Sequence, residues 1–508
     1  MQVNEFLEKS AKTTPDKPAV FFNEKWMTYA DIEINANRLG NFLKNNGIER
    51  HDRIAILCNN SFEYIISYFA ISKIGGISVP LNSTASTREI EYIIHSCEAK
   101  ALLTNRMLKE ATLAMIPTLK MTSLLVCDQE ELCSRDDFRD IRVFGWEEAF
   151  QDGSSDPPSI PCIDLDLESI VFTSGSTGVP KGVMLTHLNT VSNMYSICQY
   201  LKLTGSDRIM AILPFSYIYG KSLLLTHFCV GGSVVIDNRF LYPNLVLESM
   251  VDNEVTGFAG VPSTFAILLH RSDLLKMEFK TLRYVTQAGG AMAPSVQKKV
   301  VEAFAPAQVY IMYGATEAAP RLSYLDPTLL SRKLGSIGKA VPNVELFIVD
   351  ENGRKLSPGE TGEIAARGSN IMKGYWNEPE ETARVLRDGM YFTGDLGMTD
   401  DEGFFYVVGR KNDFIKVKGF RVSAKEIEEI ILEMEGIHEA AVIGVEDEIL
   451  GEAVKTFVVL KENSEVTKDS ILRHIAANLQ PYKAPKYIEF CRSLPKNASG
   501  KILKSKLK

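Results

Sequence analysis

The stretch "RIAILCNNSFEYIISYFAISKIGGISVP", Arg53 to Pro80, decides the architecture. "RIAIL" (Arg53 to Leu57) is a short apolar run with the length of a strand buried on both faces. Glu63 to Ile74 reads as a helix, and "GGISVP" opens a second strand. Strand, helix and strand within one short segment predict a βαβ unit, hence a parallel sheet covered by helices. The same alternation extends outward. Upstream, Thr28 and Asp31 predict a capping box for a helix running toward Gly47. Downstream, "TREIEYIIHS" is helical in pattern and "KALLT" strand-like.

From about Gly335 the texture changes. "VELFIVDENGRKLSPGETGEIAAR" (Val344 to Arg367) is two strand-like runs around an Asn-Gly turn, which predicts an antiparallel or barrel-like subdomain. A further break comes at "YVVGRKNDFIKVKGFRV" (Tyr406 to Val422). Beyond it the sequence predicts a hairpin, a helix capped by Ser423 with Glu426, strands at Ala440 to Val445 and Thr456 to Leu460, and a helix near Ile471 to Leu479. The fold class is therefore α/β. A large N-terminal domain of mainly parallel sheets plus a barrel-like part (residues 1–408) is followed by a small α+β domain (residues 409–508).

Composition narrows the function. At 508 residues the chain is too long for one core. A net charge of −8 argues against a nucleic-acid surface. The seven histidines include no pair at metal-ligand spacing, and the eight cysteines include no C-x-x-C, which suggests reduced thiols. The N-terminal segment is polar, with no signal-peptide pattern. The longest apolar stretch, Ser222 to Ile236, contains His227 and is too short to span a bilayer. A cytoplasmic protein is expected.

Three loops carry the chemistry. "TSGSTGVPKG" (Thr173 to Gly182) follows the apolar run Ile170-Val171-Phe172 with glycines, hydroxyls and a lysine. Such a loop can offer N–H groups and hydroxyls to phosphate oxygens, or be a solvent-exposed hairpin. It is not a Walker loop, because Pro180 precedes Lys181, nor a G-x-G-x-x-G turn. "TQAGGAM" (Thr286 to Met292) and "IMYGATEA" (Ile311 to Ala318) also follow strand-like runs. Loops at the carboxyl ends of parallel strands line the ligand crevice of an open α/β sheet. Together the three would supply hydroxyls and a cation, bare backbone, and an aromatic with a carboxylate. That set suits a nucleoside triphosphate with magnesium.

These motifs, with "YFTGDLG" (Tyr391 to Gly397), "GRKNDFIKVKGFRVSAKEIE" and "LPKNASGKILK" (Leu494 to Lys504), resemble in sequence order those of the adenylate-forming superfamily of acyl-CoA synthetases and related ligases. The resemblance covers essentially the full chain. It implies ATP- and Mg²⁺-dependent activation of a carboxylic acid to acyl-AMP, then transfer to a thiol. Thr173, Ser174, Gly175, Ser176, Thr177, Gly178 and Lys181 would cradle phosphates. Thr316 and Glu317 would meet phosphate and metal. Gly289, Gly290, Ala291, Tyr313 and Gly314 would lie against the adenine, Asp395 would accept from the ribose hydroxyls, and Arg410 would contact ribose or phosphate. Lys501 would bridge the substrate carboxylate and the α-phosphate. Asn412 would be the hinge, at a position where many relatives have Asp or Lys, and Lys418 and Gly419 would face the site during thioester formation.

The resemblance also places an acyl pocket at Tyr217, Gly220, Lys221, Ala288 and Ala318. Tyr217 stands where many acyl-CoA synthetases carry His. No aspartate holds a substrate amine, which favours a fatty or other apolar organic acid over an amino acid. Lys221 leaves open an acid with a second anionic group. Coenzyme A is the expected acceptor. The alternatives are the phosphopantetheine of a carrier protein, or a nucleotide-binding regulatory protein without turnover, against which the intact Lys501 and Glu317 argue.

Overall fold

Arg53 to Pro80 folds as its pattern predicts. Strands Arg53–Ile56 and Ile77–Pro80 run parallel, with Arg53 opposite Ile77 and Ile56 opposite Pro80. Helix Phe62–Lys73 crosses between them, its N-terminus capped by the Ser61 hydroxyl on the Tyr64 N–H. Every residue of that helix from Tyr64 onward is buried, which explains why it is apolar all round. The Thr28–Asp31 capping box is present and starts helix Tyr29–Asn45. The computed structural model describes the chain outside residues 106–113, 115, 117–123, 128–140, 152, 159, 175–179, 412–413, 418–419, 448–450, 497–501 and 508; of residues 174, 414, 416, 420, 421, 451 and 505 it describes only the backbone.

Among the described residues there are three sheets. The first holds eight strands. Those from Ile77–Pro80 outward to Arg142–Phe144 are parallel, and the antiparallel hairpin of Leu167–Ser174 and Pro180–Thr186 joins its other side. The second holds fourteen. Strands Ser233–Ile236, Arg208–Ala211, Gly257–Gly260, Tyr284–Gln287 and Gln308–Gly314 are its parallel half. At Gly314 the chain reverses into Arg321–Leu325, and from there to Val344–Val349 the sheet is antiparallel. Helices Phe62–Lys73, His187–Leu201 and Ile218–Val230 share one core with both sheets, touching Ile54 and Ile56 of one and Ile209 and Val234 of the other.

The third sheet lies in the C-terminal part and packs helices Ala424–Leu432 and Lys468–Asn478 over its own core of Val422, Ile427, Val442, Val458 and Ile475. Two elements differ from the sequence reading. The predicted short strands are long partners, Ile437–Asp447 and Gly451–Leu460, because their alternation continues into charged residues that still pair. The last helix starts at Lys468, three residues before Ile471, because Thr467 and Ser470 form a capping box. Strand Phe405–Arg410 carries the larger sheet through Gly409, and sheet membership changes between Arg410 and Phe414. No disulfide joins the described cysteines. Among the described residues no helix is long and apolar enough to cross a membrane.

Candidate active site

The glycine-rich stretch begins and ends in two antiparallel strands, with Thr173 opposite Lys181 and Ser174 opposite Pro180. Gly175, Ser176, Thr177 and Gly178 lie outside the described residues, as does the Ser174 side chain. Thr173 is half-buried at the hairpin's end. The Lys181 ammonium pairs with the Glu381 carboxylate at 2.5 Å and stands 5.6 Å over the Tyr375 ring. The Tyr375 hydroxyl in turn donates to Glu317 at 2.8 Å. Burial first, then the Glu317 charge, pushes the Tyr375 phenol up, so it stays a donor. This relay ties the hairpin to the Tyr-Gly-x-Thr-Glu stretch 136 residues further on (Lys181 to Glu317).

That second stretch begins where the parallel half of the large sheet ends. A Cβ at Gly314 would lie 1.9 Å from the Pro320 carbonyl oxygen, so the chain can reverse there only with glycine. Thr316 and Glu317 follow in a short 3₁₀ turn and remain partly exposed. The neighbouring strand Tyr284–Gln287 delivers Gly289, Gly290 and Ala291 as an exposed loop, braced by the Gln287 side chain donating to the Gly290 carbonyl at 2.8 Å. The loops after Tyr284–Gln287 and Gln308–Gly314 thus follow neighbouring parallel strands, and the Tyr375 relay links the second of them to Lys181.

Asp395 adds a carboxylate from the antiparallel half, directly across the strand pair from Arg410. It accepts from the Tyr313 hydroxyl at 2.6 Å and forms an ion pair with Arg410, Nε lying 3.2 Å from Oδ1. Burial, then the Asp395 charge, raises the Tyr313 phenol well above its ordinary range. Tyr313 thereby couples the end of its own strand to Asp395, an anchoring that sequence reasoning did not foresee.

The expected acyl-pocket residues separate. Tyr217 caps helix Ile218–Val230 and is half-buried; burial and the Glu89 charge push its phenol up to about 12. Ala288 lies just before the exposed loop, 3% exposed. The other three are core positions. A Cβ on Gly220 would lie 2.1 Å from the Pro214 carbonyl oxygen. Ala318 is packed among Leu322, Ile364 and Tyr391. Lys221 makes a buried ion pair with Glu168 at 2.6 Å and bonds Ser169 at 2.9 Å. Its charge is neutralised inside the protein, which leaves the idea of Lys221 meeting a second substrate anion without its cation. The helix face that borders free space is another one, Tyr219, Ser222, Leu223 and Thr226 at i, i+3, i+4 and i+7.

Lys501, Asn412, Lys418 and Gly419 lie outside the described residues. Sequence reasoning missed Tyr375 and Glu381. "KGYWNEPEET" offered only an aromatic after a glycine and an acidic helix start, too ordinary to single out. Among the described residues no three His, Cys, Asp or Glu cluster as a metal site. One partly exposed carboxylate, Glu317, with the neighbouring Thr316 hydroxyl, could hold a hard cation only if that cation took its remaining oxygens from phosphates and water.

The family model described as AMP-binding enzyme matches residues 7–376, and that of the AMP-binding enzyme C-terminal domain matches residues 426–501. The chain is similar to the long-chain-fatty-acid–CoA ligase of Bacillus subtilis (strain 168), 34% identical over 522 residues that cover 99% of this chain and 93% of the relative. It is similar in structure to the anthranilate CoA ligase AuaEII in complex with anthranoyl-AMP, with a TM-score of 0.90 at 26% identity over 100% of this chain and 96% of that one. The o-succinylbenzoate coenzyme A synthetase MenE from Bacillus subtilis in complex with ATP and magnesium ion gives 0.85 at 27% identity, covering 99% and 98%.

Proposed function

Because the chain belongs to the AMP-binding enzyme family, we propose that it is an AMP-forming acid–thiol ligase. It activates a carboxylic acid with ATP and Mg²⁺ and passes the acyl group to coenzyme A. The observation that carries this reading is that side-chain contacts join Lys181 to Glu317 through Tyr375, and Tyr313, four residues before Glu317, to Asp395.

In the first half-reaction a carboxylate oxygen attacks the α-phosphorus and pyrophosphate leaves. Two anions must meet, so cationic side chains have to offset the charge gathering on the transferring group. Lys181, at the mouth of the hairpin, is in reach of the leaving phosphates once it exchanges Glu381 for them. Lys501 takes the same part between the two reacting groups. Asp395 is a fit acceptor for the ribose diol, because both hydroxyls donate and a carboxylate only accepts. Glu317 and Thr316 would hold the Mg²⁺, which would supply Lewis-acid screening of the phosphates. In the second half-reaction the thiol attacks the acyl carbon and AMP leaves, with the segment around Lys418 and Gly419 turned toward the site. The absence of a membrane-crossing helix among the described residues agrees with a cytoplasmic site of action.

Pyrophosphate release over a panel of carboxylic acids, with and without coenzyme A, tests this reading. The expected result is acid-dependent pyrophosphate, then AMP release only when coenzyme A is added. AMP release that requires a holo carrier protein instead would move the acceptor to that protein. A panel in which no acid releases pyrophosphate would reject the ligase reading.

A further inference from the structure

We propose that Arg321 receives the far end of the acid substrate and that this end is anionic; the inference rests on the ligase reading above and specifies its substrate class. Arg321 opens the strand that returns from the Tyr-Gly-x-Thr-Glu turn and is 2% exposed. Its backbone is fixed on both sides, the N–H donating to Asn193 Oδ1 at 2.9 Å and the carbonyl accepting from the Asn193 and Asn370 amides at 2.8 and 3.0 Å. Its guanidinium lies 4.9 Å over the Tyr219 ring and beside the Tyr200 hydroxyl. Among the described residues no carboxylate reaches it within ion-pair distance, and its Nε has no partner.

Elsewhere this chain neutralises the cations it buries. Lys73 pairs with both Glu8 and Glu33 at 2.8 Å, and Lys221 with Glu168 at 2.6 Å. An arginine enclosed without a counter-charge is costly, several kcal/mol on general grounds. A ring face offsets only part of that, about 2 kcal/mol when desolvated. The fold holds Arg321 there rigidly all the same, and the group that would complete it has to be an acceptor with negative charge.

The place fits a substrate tail. Arg321, Tyr219, Thr286, Met312, Tyr200 and Thr226 border an internal void of about 10 Å³, room for one oxygen-sized group. Thr286 and Met312 stand on the two parallel strands whose next residues form the exposed loop Gly289–Ala291 and the Gly314–Glu317 turn. At the rise of a β-strand, two to three residues separate the void from those loops, roughly 7–10 Å. An acid with its reacting carboxylate at the loops would therefore direct its other end toward Arg321. The flexible Met312 side chain is the part of the lining most able to give way. The substrate class is a short acid with a second carboxylate or an equivalent anion at its far end. A neutral tail would leave the guanidinium enclosed and unpaired.

The test compares short straight-chain dicarboxylic acids with monocarboxylic acids of matching length in pyrophosphate release. Wild type should prefer the dicarboxylic acid by about 10²-fold or more in kcat/KM, since a site built for a polar group strongly rejects the analogue that lacks it. Arg321→Met should bring that ratio toward one, and Arg321→Lys should keep part of it. A wild-type ratio near one overturns the proposal without any variant being needed, as does a ratio that Arg321→Met leaves unchanged. Thermal denaturation with the dicarboxylic acid alone separates this idea from the ligase reading. If no acid releases pyrophosphate yet the dicarboxylic acid raises the Tm of wild type and not of Arg321→Met, the ligase reading fails and the anion site stands. If pyrophosphate appears only with monocarboxylic acids, the ligase reading stands and the anion site falls. If neither pyrophosphate nor a Tm shift appears, both fall.

Discussion

Lys501 and His227 are residues whose charge states matter in opposite ways. On the proposed mechanism Lys501 is the cation where two anions meet, so Lys501→Ala should slow acyl-AMP formation by about 10²–10³. Attack of coenzyme A on supplied acyl-AMP should be largely kept, and measuring the two half-reactions separately checks this. His227 has to stay neutral. Its Nδ1–H donates to the Leu223 carbonyl at 2.8 Å and its Nε2 accepts from the Tyr284 hydroxyl at 2.9 Å. Burial depresses the imidazole to about 4. The unfolded chain takes up this proton near its ordinary value, about 6.5, while the folded chain resists until about pH 4. The unfolded state therefore binds more protons in that window. Stability present above about pH 6.5 is lost as pH falls, by roughly 3 kcal/mol for this group. Urea midpoints at about pH 7 and about pH 4.5 should differ less in His227→Gln than in wild type. His187, depressed by burial as well, is common to both chains and drops out of the comparison.

Among the elements, helix Ile218–Val230 shows how a close approach constrains sequence. It follows the parallel strand Arg208–Ala211 after a short loop, and its first turn is pressed against the Leu213–Pro214 backbone. Gly220→Ala would put a methyl 2.1 Å from the Pro214 carbonyl oxygen, against backbone that cannot swing aside. The expected cost is about 1–3 kcal/mol or more, with the helix shifted at its Tyr217 end. Gly359→Ala is the control. Nothing lies within 4 Å of that Cβ, so only its positive φ of +82° is strained, at about 1–2 kcal/mol. Denaturant midpoints of the two variants compare these costs, and acid activation should suffer in Gly220→Ala alone. An equal effect on both would mean that the helix start adjusts freely.

At the scale of the whole molecule, the proposed mechanism would have the C-terminal part present first Lys501 and then the Lys418–Gly419 segment. Sheet membership changes between Arg410 and Phe414, and the hydrogen bonds across it include Ser423 and Lys425 donating to the Val408 and Val407 carbonyls. Asn412→Pro fixes φ in that connection and should lower thioester formation well before it lowers adenylation. An unchanged overall rate would place the pivot elsewhere.

The sequence by itself determined the class of fold and the loops that matter. βαβ alternation, capping boxes and glycine-rich turns are local signals, set by propensity and spacing within a few residues. The capping box at Thr28, the Ser423 N-cap and the turn at Asn352-Gly353 were readable for that reason. What only the tertiary structure decided is which side chains meet. Lys181 and Glu317 are joined through Tyr375, which no local pattern marks. Lys221, read as a pocket cation, is neutralised by Glu168, a partner 53 residues away in sequence. Arg321, three residues beyond a recognised motif, is instead the buried cation without a carboxylate partner among the described residues. Charge pairing and burial depend on strands far apart in sequence becoming neighbours in a sheet. Periodicity shows that a residue faces inward, and packing alone decides what it faces.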